Sequence, residues 1–176
     1  MADKQALIDQ ITNSFVKTEY PGDWCLSGSN EGSEPFETAQ AFKGKRERYS
    51  IESKLLDSAP KGLSSALSFF SDEAFRFFLP AYMIADIRKE LHQVNVVFHL
   101  THGLSDKSRT EAINPRRYGR RTWFDAQSYK FSIFTKDEVT AIVSYLEFKR
   151  KKARDFEHDQ IDQSLKNYWN ARLTIK

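Results

Sequence analysis

Apolar residues recur along this chain mostly at helical spacing. Leu7, Ile8, Ile11 and Phe15 share one face of the stretch from Asp3 to Val16, and the 3.6-residue period predicts an amphipathic helix there. The segment YPGDWCLSGSNEGSEP, residues 20–35, then breaks the period with Pro, Gly, Ser and Asn and reads as a loop. Short helices are predicted over Phe36–Phe42 and Ile51–Leu56, and the PKG of Pro60–Gly62 punctuates the chain before Leu63–Phe70.

The most apolar stretch is SFFSDEAFRFFLPAYMI, residues 68–84, which holds five phenylalanines. Ser71 is placed as an N-cap, with Asp72 and Glu73 at the positive end of the helix dipole. From Ala74 to Leu91 the apolar positions nearly encircle the axis, the mark of a helix at the centre of a core. Arg76 and Asp86 are exceptions that must reach the surface or find a partner. Pro80 cannot donate to the carbonyl of Arg76, a defect of ~3 kcal/mol or more in a helix interior. The expectation is a kink at Pro80 or a fresh helix beginning there, with the carbonyls of Arg76 and Phe77 seeking another donor.

Asn95–Thr101 fits a short helix or a buried strand. Leu104 to Ser128 lacks periodicity and reads as a long loop, and YKFSIF, residues 129–134, alternates briefly like a lone strand. Thr135 and Glu138 form a capping box, flanked by Phe134 and Val139 as a hydrophobic staple. Val139, Ile142, Val143 and Leu146 follow at helical spacing, and a last helix is predicted over Asp159–Ala171 on Ile161, Leu165, Tyr168 and Trp169. The expected fold is mainly α: a compact single-domain helical bundle, residues 1–176, with a long basic loop at about 104–128 and little or no strand.

Composition agrees with a self-sufficient core. A chain of 176 residues buries about 70% of the surface its unfolded form exposes. Aromatics at 14% supply much of that core. Cys25 is the only cysteine, so no internal disulfide forms. The N-terminus has no signal-type apolar run and no window reaches a membrane span. The chain is therefore expected to be cytoplasmic and without a membrane.

The motifs YPGD at Tyr20–Asp23, LPAY at Leu79–Tyr82, Phe134 with Thr135, and YLEF at Tyr145–Phe148 together resemble an uncharacterised family of small bacterial proteins. That resemblance spans most of the chain, with a poor match over residues 104–128. It implies a related fold and no established activity, and it transfers no catalytic residue.

Candidate chemistry is sparse. His99 and His102 stand three apart with His92 upstream, but without an accompanying carboxylate or Cys/His pattern they read as capping or part-buried side chains, and no metal or other cofactor is expected. Cys25 has no base placed beside it and reads as inert. Asp23 and Trp24 in YPGDW read as a turn. KRKKAR, residues 149–154, follows a helix C-terminus, where cations complement the dipole.

The sharpest feature is NPRRYGRR, residues 114–121. The net charge of +3 is too balanced to imply nucleic acid by itself, yet Arg116, Arg117, Arg120 and Arg121 gather round Tyr118 and Gly119. The reading adopted is a small bacterial protein-interaction module, of inhibitor or immunity type, whose Arg116, Arg117, Tyr118, Arg120 and Arg121 bind an acidic partner protein. Nucleic-acid binding through both basic patches is the alternative. An enzyme of unrecognised type would draw first on Asp23, His99 and His102.

Overall fold

The computed structural model describes residues 2–58 and 65–174. The fold is mainly helical: among the described residues there is no strand, only two isolated antiparallel bridges, Ser27–Phe70 and Ala112–Thr122. The chain divides into two compact units, Met1–Val96 and Val97–Lys176.

The first unit begins with α1 (Ala2–Ser14), which buries Leu7, Ile8 and Ile11, with Phe15 buried just beyond its end. The loop after it carries one 3-10 turn, Asp23–Cys25. α2 (Glu34–Phe42) starts two residues earlier than its apolar pattern indicates, because Pro35 suits the first turn of a helix. α3 is a single turn, Ser53–Leu56. The PKG motif and Leu63 lie outside the described residues, and a 3-10 turn, Ala66–Ser68, leads into the central helix.

That helix is α4 (Asp72–Arg88). Ser71 caps it, its Oγ accepting the Ala74 N–H at 3.0 Å. It buries twelve residues, from Ala74 to Ile87, on nearly all its faces. Arg76 and Asp86 are half-buried and engaged. It stops at Arg88 rather than Leu91, because Lys89 takes a left-handed conformation (φ 64) and the N–H groups of Lys89 and Glu90 turn back to the last carbonyls.

The helix runs through Pro80 as one element, so no fresh helix begins there. The donor that serves the disturbed turn is Arg48, whose Nη1 reaches the Phe77 carbonyl at 3.0 Å. Its Nη2 serves the carbonyls of Phe15, at 3.1 Å, and Thr18. Arg48 is buried, and its guanidinium lies over the Phe77 ring at 4.2 Å. Phe77 in turn belongs to a cluster with Phe42, Phe70 and Phe78, whose rings pack edge-on or stacked with centroids 4.9–5.0 Å apart. Asp57 Oδ1 accepts the backbone N–H groups of His92 and Gln93 at 2.8 Å and of Val94 at 3.2 Å, fixing the turn after α4.

The last helix to begin in the first unit is α5 (Val96–Thr101), which takes the helical alternative for its segment and continues into the second unit. The second unit then runs through a 3-10 turn (Lys107–Arg109), α6 (Pro115–Tyr118), α7 (Trp123–Phe131), α8 (Lys136–Arg150) and α9 (Asp155–Ser164). A π turn, Leu165–Trp169, passes directly into α10 (Asn170–Thr174). The Thr135–Glu138 capping box forms in both directions, at 3.3 and 2.8 Å, and Phe134 and Val139 beside it are buried. Trp169 sits at the centre of this core, its indole N–H donating to the Leu100 carbonyl at 2.9 Å.

Two expectations are corrected here. Tyr129–Phe131 is the end of α7 rather than part of a strand, and Ser132 to Phe134 form the turn into α8. The segment 104–128 is not structureless either, since it holds the 3-10 turn, α6 and most of α7. The cause is a second capping box: the Thr122 hydroxyl accepts the Asp125 N–H at 3.1 Å, and Asp125 accepts the Thr122 N–H at 2.9 Å.

Candidate functional site: an ordered basic loop

NPRRYGRR folds into a closed, self-capped loop in the second unit. Two antiparallel backbone hydrogen bonds pin its feet, from Ile113 N to Arg121 O at 3.1 Å and from Trp123 N to Glu111 O at 3.0 Å. Within it, Pro115 occupies the start of α6, where its missing N–H is no loss. The Asn114 side chain accepts from the Arg116 N–H at 3.2 Å, and the Tyr118 and Gly119 N–H groups close back on Asn114 and Pro115. Gly119 then turns the chain at φ 61, ψ −128, a conformation that a side chain would strain.

This frame leaves Arg116, Arg117, Arg120 and Arg121 exposed, together with Tyr118. Arg117 lies over the Tyr118 ring at 5.3 Å and Arg121 over the Tyr129 ring at 5.7 Å. Tyr129, on α7, is 69% exposed and joins the patch. The alternation of YKFSIF, read as a strand, separates it from the arginines; the T-x-x-D of Thr122–Asp125 is the signal that places it on α7. The Asp125 carboxyl is held below the usual range by its bonds to Thr122 and by the Arg121 charge.

The loop is anchored to the unit at its base. Arg109 covers the Phe124 ring at 3.9 Å and donates to the Asn167 carbonyl at 3.3 Å. The Trp123 ring meets His102 edge-on at 5.0 Å, and His102 stacks on Phe98 at 4.8 Å. The backbone that carries the patch is thus closed on itself and tied to the second unit.

The remaining candidates are drawn into structural roles. His99 is pushed down to about 4 by burial and by the nearby Lys130 and His102. No grouping among the described residues could hold a metal ion. Asp23 belongs to the first unit, where it accepts from the Tyr20 hydroxyl at 2.6 Å and the Gly44 N–H at 2.9 Å, closing the turn. Burial pushes the Cys25 thiol up, against thiolate formation. Of KRKKAR, Arg150 is spent on Asp162 and Glu147, and Lys152 lies over Phe148 at 5.0 Å.

Residues 3–173 match a family described as a family of unknown function (DUF6714). The chain belongs to this family. The expected membership of an uncharacterised family is thus borne out, and this DUF6714 chain inherits no activity from it. No curated protein and no solved structure matches the chain. Among the described residues no helix is long and apolar enough to cross a membrane.

Proposed function

We propose that this DUF6714 protein is a cytoplasmic bacterial interaction module of the small inhibitor or immunity type, and that its basic loop captures an acidic protein surface. The observation that carries the reading is the closed backbone frame round Arg116, Arg117, Arg120 and Arg121. Arginine and tyrosine are the residues that anchor interfaces, and here the backbone that presents them is closed before binding, which lowers the ordering cost of association. Four guanidiniums on one short loop also steer an acidic partner during encounter.

Nucleic acid is the second reading, supported by the exposed Tyr118 and Tyr129 rings beside cations. The overall charge of +3 weighs against it. The deciding experiment is an affinity capture from host lysate, wild type beside the four-arginine alanine variant, with and without nuclease. A protein retained by wild type alone, with nuclease present, supports the interaction module. Capture that disappears with nuclease supports nucleic acid, and identical capture by both chains overturns the loop's role.

A further inference from the structure

The first unit contains a pocket of about 240 Å³, with α1, the 3-10 turn at Arg48–Ser50, α3 and α4 contributing to its wall. Its floor is apolar, made by Ile8, Leu56, Ala81, Ile84 and Ala85. Ala81 and Ala85 stand one turn apart on α4, where their small side chains leave room that leucines would fill. The space exceeds the ~150 Å³ that suffices for a benzene molecule.

Two opposite charges line the same pocket, Arg88 from the end of α4 and Glu90 just beyond it. Both are exposed, so they belong to its mouth. Glu90 is held in place there, its Oε2 accepting from the Ser53 hydroxyl at 2.6 Å, which leaves Oε1 for another donor. Arg48 also lines the wall, but its guanidinium is committed to three backbone carbonyls. That commitment braces the cavity and leaves Arg88 as the cation that can meet a ligand.

We infer that this pocket binds a small zwitterion with an apolar body, of which the apolar α-amino acids are the simplest members. Arg88 takes the carboxylate, Glu90 takes the ammonium, and the side chain enters the alanine-floored space. A simple carboxylate would meet Glu90 unfavourably and a simple amine would meet Arg88 unfavourably. A ligand carrying both charges satisfies both groups of the mouth at once. The inference is independent of the basic loop, which lies in the other unit.

The test uses the full chain and calorimetric titration, supported by ligand-observed NMR, with L-leucine and L-phenylalanine as probes. The comparison ligands are 4-methylpentanoate, which is leucine without its amine, and 3-methylbutylamine, which is leucine without its carboxylate. At least one amino acid is expected to bind, with both truncated ligands weaker by roughly tenfold or more. Arg88→Gln and Glu90→Gln should each weaken the amino acid similarly, and both positions are exposed, so folding is retained. Ala85→Phe should abolish binding by filling the space. Absence of binding for both amino acids up to about 10 mM, with the chain shown folded by its thermal transition, overturns the inference. So does equal affinity for leucine and 4-methylpentanoate.

Discussion

Arg48 Nη1 donates to the carbonyl of Phe77 at 3.0 Å, three residues ahead of Pro80. A helix interior that contains proline loses one ladder bond and crowds the preceding turn. Here a side chain from outside the helix supplies a donor on that turn, and the same guanidinium ties in the carbonyls of Phe15 and Thr18. A buried cation is tolerable only when its donors are used in this way.

Replacing Arg48 by methionine should therefore destabilise the chain by about 3 kcal/mol or more, because buried carbonyls are orphaned together. Arg48→Lys should fall between, since an ammonium cannot reproduce the planar fork. Urea titration checks both. An Arg48→Met transition within about 1 kcal/mol of wild type would remove this account of the central helix.

Asp57 makes acid stability a second test. Burial opposes its charge, but the three N–H groups of His92, Gln93 and Val94 outweigh burial and hold the carboxyl below its usual value. A carboxyl lowered in the folded state stabilises it fully above the unfolded value of ~3.9, and the contribution is lost as pH falls through the folded value. Wild type should accordingly weaken below about pH 4 more steeply than Asp57→Asn. Parallel acid unfolding curves would show that the carboxylate charge is not involved.

His99 acts over a different window. Its folded value of about 4, set by burial, Lys130 and His102, lies below the ordinary histidine value. The unfolded chain thus binds the extra proton between about pH 4 and ~6.5. Stability is complete above the upper limit and declines as pH falls towards the lower one. His99→Gln should flatten that part of the stability profile, as followed by thermal unfolding at successive pH values.

How much of this was legible depends on whether the deciding signal was local. The Ser71 cap, the all-round apolar face of α4 and the Thr135–Glu138 box lie within a few residues of what they control, so α4 and α8 were readable. The capping pattern at Thr122–Asp125 is equally local, but the alternation of YKFSIF competes with it and masks α7 behind a loop and a strand. Arg48 was not legible at all. It sits among the charges of KGKRERYS, and only tertiary packing distinguishes it from its exposed neighbours. The site arginines were readable as composition, while the frame that presents them depends on hydrogen bonds between residues ten or so apart.

That frame supplies the last prediction, which separates charge from geometry. Gly119 adopts φ 61, ψ −128, and a Cβ added there would meet nothing within 4 Å. The demand for glycine is therefore conformational, not steric crowding by neighbours. Gly119→Ala should strain the turn by about 1 kcal/mol or more and loosen the loop while leaving all four arginines and the net charge unchanged. If partner capture rests on a preorganised surface, this variant should bind several-fold more weakly, mainly through faster dissociation. If capture rests on positive charge alone, Gly119→Ala should match wild type while the four-arginine variant fails. Surface plasmon resonance of the two variants against the captured partner distinguishes these outcomes, and equal binding by Gly119→Ala would reduce the loop's order to a by-product of its capping residues.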